Sequence, residues 1–139
     1  MNNNSSENSP RTSRFYNVLS AFLAFFLWGG WAYFVNGSTD ITRCLISGLT
    51  QGTASFIITL VMVHLVSWLF NHLPGNFLQL PLAVFFTVSI TGSYLVGIHL
   101  LVDTPEIFYT ISPALSVAFA FCWYTAYKLR NSSDKRSSQ

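Results

Sequence analysis

Charge is what this chain has least of. Only 9% of its 139 residues are Asp, Glu, Lys or Arg, against about 25% in a soluble domain. With 51% hydrophobic residues, too few polar side chains remain to cover a water-facing surface, so a soluble core is excluded. The net charge is only +2, and the seven Lys and Arg form no basic stripe, which argues against nucleic acid as a partner. Cysteine is scarce as well: Cys44 and Cys122 are the only two. They fall near opposite ends of the apolar region, which argues against a disulfide. Each is read as a small packing residue. No CxxC pair or Cys/His cluster offers a metal site, and no cofactor is implied. GxSxG, HExxH and a Walker loop are missing too, so no catalytic residue is assigned and an enzyme is not expected.

What the chain has is long apolar runs filled with aromatics, thirteen of them Phe. The expected fold is all-α: a polytopic membrane protein, an antiparallel bundle of four transmembrane helices at about 15–36, 42–70, 77–102 and 105–128. Together these make a single transmembrane domain over 15–128. The flanks, 1–14 and 129–139, are rich in Asn and Ser or in charge and are expected to be disordered, since they cannot bury enough surface to offset chain entropy. The run after Arg14 is about 22 residues long, beyond the ~7–15 of a secretory signal, and is read as a retained helix. Trp28, Trp31 and Tyr33 suit an aromatic belt near its far end. Gly29 and Gly30 allow a close contact or a bend.

The stretch 42–70 organises the rest. Gly48, Gly52, Ser55 and Thr59 fall at i, i+4, i+7 and i+11, on one helix face. In lipid such a row lets a neighbouring helix approach closely. Ser89, Ser93 and Gly97 form a second row, and Ser112, Ser116 and Ala120 a third. All ten are candidate helix-packing residues. Asp40 or Thr39 is a candidate cap for the second helix, and Thr104, Pro105 and Glu106 read as the start of the fourth, with Thr104 as cap. Pro113 lies inside that helix, so its freed carbonyl needs a donor from a neighbour or from Ser and Thr hydroxyls.

Five residues carry polar chemistry within or beside the spans. His64 lies in the second span with Thr53, Ile57 and Leu60, opposite the small row; an ionisable group there is a functional candidate by default. Gln51 sits at the edge of that row, placed to hydrogen-bond a neighbour or to line a polar cavity. His99, Asp103 and Glu106 are the one place where a His and two carboxylates can gather, which suits proton exchange or helix capping. Six of the seven Lys and Arg lie on the side of the two termini. The positive-inside rule therefore places both ends in the cytoplasm of a multi-pass protein of a cell membrane.

The segments GLTQGTASFIITLVMV and SPALSVAFAFCWYTAYKL, within a pattern running from about Trp28 to Leu129, resemble small uncharacterised bacterial four-helix integral membrane proteins. The resemblance implies a bacterial cytoplasmic membrane and brings no activity with it. The expected function is a non-enzymatic accessory or assembly subunit of a larger membrane system, with the lipid bilayer, a larger membrane protein or a second copy as partners. The alternative is a small oligomeric transporter or channel, in which Gln51, Thr59, Ser89, Ser93 and Ser116 line one continuous cavity. A third expectation is a lipid-acting enzyme, in which His99, Asp103 and Glu106 converge beside a groove.

Overall fold

A computed structural model describes residues 13–37, 40–75 and 77–137; at 13–16 and 132–137 only the backbone is described. Four helices follow in order: α1 Ser13–Val35, α2 Ile41–His72, α3 Gln79–Leu101 and α4 Ile107–Ser137. Short connections at 36–40, 73–78 and 102–106 make sequence neighbours antiparallel. The first and third connections share one end of the bundle, called here the loop end. The ends of the chain and the second connection share the other, the termini end.

Each helix contains a window long and apolar enough to cross a membrane. Most boundaries fall within two residues of those expected, but α4 runs on to Ser137. Residues 129–137 are therefore helix rather than the expected tail. Lys and Arg are good helix formers, and cations near a helix C-terminus complement its dipole. Residues 1–12 of the expected N-terminal tail lie outside the described residues, whereas Ser13 and Arg14 already belong to α1. Pro81 is the third residue of α3, where no intrahelical donor is needed. The turn before it is locked by Gln79, whose amide donates to the Phe70 carbonyl at 2.8 Å.

The bundle is not a square. Among the described residues α2 meets all three other helices, and α1 and α3 do not touch. Toward the termini end, α2, α3 and α4 enclose an apolar cluster of Met62, Val66, Phe70, Leu80, Ala83, Val84, Cys122 and Ala126. Ala54, Leu95 and Ile111 form a smaller one nearer the loop end. Beyond it the interior turns polar: Asn36, Gln51, His99 and Thr110 are each 0% exposed.

α1 lies against α2 through glycine. A Cβ on Gly29 would come 2.8 Å from the Gly48 carbonyl oxygen, and one on Gly52 would come 2.9 Å from the Phe25 carbonyl oxygen. Both distances are shorter than real Cβ contacts, so backbone meets backbone here. Gly30, the neighbour of Gly29, has nothing within 4 Å.

The proline in α4 ties α1 to the bundle. Pro113 has no N–H to offer the Tyr109 carbonyl one turn earlier. The Trp31 indole N–H donates to that carbonyl instead, at 3.0 Å. A neighbouring helix thus answers the freed carbonyl, and no Ser or Thr hydroxyl is used for it. Pro113→Ala restores the intrahelical donor, so it should shrink the penalty of Trp31→Phe, itself about 0.5–1.5 kcal/mol. A double-mutant cycle on unfolding free energy checks this, and additive penalties would contradict it.

Candidate functional site

The loop end contains a buried polar assembly, and its geometry begins with how α3 stops. The helix ends at Leu101, and Asp103 adopts a left-handed backbone with φ 56°. The Thr104 N–H donates to the His99 carbonyl at 3.0 Å, and the Asp103 N–H to the Leu100 carbonyl at 3.3 Å. This pair of bonds is a Schellman cap with Asp, not Gly, in the left-handed position, a place Asp tolerates better than most residues. The reversal swings Asp103 out to solvent and tucks Thr104 under the last turn.

Thr104 then meets His99. Its hydroxyl lies 2.8 Å from His99 Nδ1, and the Ser47 hydroxyl lies 3.4 Å from Thr104 Oγ1. On the other side of the ring, His99 Nε2 is 2.7 Å from Gln51 Oε1, while the Gln51 amide nitrogen donates to Ser55 Oγ at 3.4 Å. These partners assign the tautomer. Because the amide oxygen of Gln51 can only accept, Nε2 carries the proton and Nδ1 accepts from Thr104. A single donor direction runs from Ser47 through Thr104, His99 and Gln51 to Ser55, and α2, α3 and the 102–106 connection are joined by it.

A second knot sits beside the first. Asn36, just past the end of α1, donates through Nδ2 to Thr110 Oγ1 at 3.0 Å and to the Ala32 carbonyl at 2.8 Å. Its Oδ1 accepts the Glu106 N–H at 3.1 Å. The Thr110 hydroxyl donates to the Glu106 carbonyl at 2.6 Å, and the Cys44 thiol to the Asn36 carbonyl at 2.9 Å. The N-terminus of α4 is therefore capped from 70 residues away. Replacing Asn36 by Ala removes that cap and takes away the donor to Thr110 Oγ1, so a loss of about 1–2 kcal/mol is expected in thermal or denaturant unfolding. Asn36→Asp keeps the acceptor for Glu106 N–H and should retain part of the stability.

Several expectations are corrected by this geometry. Thr104 does not act as the cap of α4, because its hydroxyl faces His99. Asp40 makes no side-chain cap bond to α2, and Thr39 lies outside the described residues. His99, Asp103 and Glu106 do not converge. His99 is wholly buried, whereas Asp103 is 88% exposed and pairs with Arg43 at 3.7 Å. Glu106 is exposed as well, and it joins the assembly through its backbone N–H and carbonyl. An exposed pair of that length contributes little to stability. His64 is exposed on α2, away from the assembly.

The three small-residue rows end up in different surroundings. Gly48, Gly52 and Ser55 are buried, and the half-buried Thr59 donates to the Ser55 carbonyl at 2.7 Å. Ser89 and Ser93 are exposed and Gly97 has nothing within 4 Å of a Cβ, so this row faces away from the bundle. The interior face of α3 is instead Ala83, Thr87, Thr91, Leu95 and His99. Thr87 and Thr91 can be buried because each hydroxyl bonds a carbonyl of its own helix, at 2.7 and 2.9 Å. In α4, Ser116 and Ala120 are exposed and Ser112 is half-buried. The interior is taken by Ile111, Cys122 and Ala126.

The assembly is chemically quiet. No buried side-chain N or O atom among the described residues lacks a hydrogen-bond partner. No group of three His, Cys, Asp or Glu able to hold a metal ion occurs among them. Gln51, Thr59, Ser89, Ser93 and Ser116 do not line one cavity. Gln51 is used by His99, Thr59 edges a side cleft, and the three serines are exposed. No protein-family model, curated protein or solved structure matches the chain.

Proposed function

We propose that this chain is an integral membrane protein that acts as a non-enzymatic accessory or assembly subunit of a larger membrane system. The observation that carries this reading is its inverted burial. Phe34, Leu101 and Phe108 are 76%, 87% and 74% exposed, while Asn36, Gln51, Thr87 and His99 are 0% exposed. In water such a surface would drive aggregation, and in a bilayer it is the favourable arrangement. The polar groups bond one another, a pattern that supports a scaffold whose outward helix faces meet lipid or another protein. The partner is a larger membrane protein or a second copy of the chain. The positive charges at the termini end favour a bacterial cytoplasmic membrane with both ends inside.

The test is purification of the full chain in mild detergent after carbonate washing of membranes, with light scattering and mass spectrometry. The expected result is recovery from the membrane pellet together with a larger membrane protein at fixed stoichiometry. A partner-free homo-oligomer that conducts ions or solutes in liposomes would replace this reading with the transporter alternative.

A further inference from the structure

Several clefts open between the helices, and one of them is lined by all four. This cleft, of about 250 Å³, opens sideways between α1 and α4, at the middle of all four helices. Ala24 and Trp28 of α1 and Ala114 and Ala118 of α4 form its walls, and Thr59 and Thr91 lie on its floor. The Trp31–Tyr109 and Asn36–Thr110 bonds hold α1 and α4 together on the loop-end side of it.

The floor decides the chemistry of an occupant. No charged side chain lines the space, and its lining is mostly apolar. Of its polar side chains, Thr59 and Thr91 give their hydroxyl protons to the Ser55 and Thr87 carbonyls, and Ser20, Trp28 and Ser55 complete the set. Size decides the rest. A cavity of about 150 Å³ holds benzene, so this one has room for roughly ten carbon atoms. A helix about 10 Å across is too large. The 12 residues before α1, MNNNSSENSPRT, contain one large apolar side chain, Met1, and are too polar to fill it. Depth agrees as well: mid-helix lies about 15 Å from either interface of a bilayer, which the far half of an acyl tail reaches while its headgroup stays in the interface.

We infer that this cleft is a binding site for one acyl tail of a membrane phospholipid, which enters between α1 and α4 with its headgroup toward the termini end. This inference rests on the membrane reading above. The bound tail completes packing that α1 and α4 do not complete themselves, so the lipid acts as a structural ligand held at one per chain.

The experiment is native mass spectrometry of the full chain, delipidated in detergent and then titrated with dioleoyl phosphatidylglycerol. The wild type is expected to retain one lipid per chain under conditions that strip the rest. Ala118→Phe and Ala24→Leu, which fill the cleft from opposite walls, should each weaken that binding roughly tenfold. Ile57→Phe, on an exposed face of α2, should leave it unchanged. Circular dichroism reports whether each variant is folded, and Ala24→Leu decides if Ala118→Phe is not. A wild type that retains no lipid, or variants that retain it fully, would overturn the inference. So would a lipid-free dimer broken by Ala118→Phe, since a second copy would then fill the cleft. Lipid failure in a chain that still fractionates with membranes counts against this site alone, whereas recovery in the soluble fraction counts against the membrane reading.

Discussion

Gly29→Ala is expected to loosen α1 from the bundle, while Gly30→Ala, one residue later, is expected to stabilise the protein. The new methyl at 29 would sit 2.8 Å from the Gly48 carbonyl oxygen, and at 30 it meets nothing within 4 Å. Backbone atoms cannot rotate away as a side chain can, so α1 must shift. Overpacking of this kind costs about 1–3 kcal/mol. At Gly30 the same change brings only the helix preference of Ala over Gly, about 1 kcal/mol. Gly52→Leu carries the effect to its limit, since its first added carbon already lies 2.9 Å from the Phe25 carbonyl oxygen. Most of its folded yield in detergent should be lost. Ile57→Leu, on the exposed side of the same helix, should fold as the wild type does. Unfolding in mixed detergent micelles measures all four, and equal stabilities for Gly29→Ala and Gly30→Ala would show that α1 does not lie where it is described.

Gln51→Leu and His99→Leu are expected to be costly singly and less costly together. Gln51→Leu leaves His99 Nε2–H with no acceptor in a wholly buried position. His99→Leu leaves the Gln51 amide oxygen and the Thr104 hydroxyl without their partner. An orphaned buried polar group costs about 1–3 kcal/mol. The double variant removes both sides of the 2.7 Å bond and replaces them with apolar bulk. Its destabilisation should fall short of the sum by about 1–2 kcal/mol, the upper part of the range for hydrogen bonds between membrane helices. Additive effects would mean that the two side chains are buried side by side without bonding. His99→Gln, which keeps a donor and an acceptor, should lose less than His99→Leu.

Much of the architecture was legible in the sequence, and the reasons why the rest was not are local. Four apolar runs separated by Gly, Pro, Asn and Asp identify the helices, because continuous apolar runs of that length are too long for strands. The Gly48–Gly52 row is readable because glycine at helical spacing leaves few other purposes. The rows in α3 and α4 misled because Ser is equally at home outward, where its hydroxyl bonds its own helix, as Ser116 does to the Ser112 carbonyl at 2.9 Å. A better signal was present in α3. Thr87, Thr91, Leu95 and His99 fall at successive i+4 positions and end on a histidine, a polar stripe too expensive to leave unpaired in an apolar helix.

The candidate site was half legible. His99 and Gln51 stand out in sequence as polar residues within spans, but their pairing across 48 positions is a fact of helix rotation that spacing does not supply. Asp103 looked like the partner of His99 because i and i+4 share a helix face. The left-handed turn at Asp103 breaks that relation and delivers Thr104 at i+5 instead. Asn36 was read as the end of a helix, and nothing near it in sequence announces that it caps α4.

Which helix faces meet lipid decides the membrane reading. A carbene precursor dissolved in the bilayer, photolysed in vesicles that carry the full chain and mapped by peptide mass spectrometry, tests this without any substitution. Label is expected on the exposed faces, at Leu23, Phe26, Phe85 and Phe108, with Gln51, Thr87 and His99 unlabelled, in line with their burial. Label on Thr87 or His99, or apolar faces that react only with a water-borne reagent, would contradict the inverted burial and the membrane function built on it.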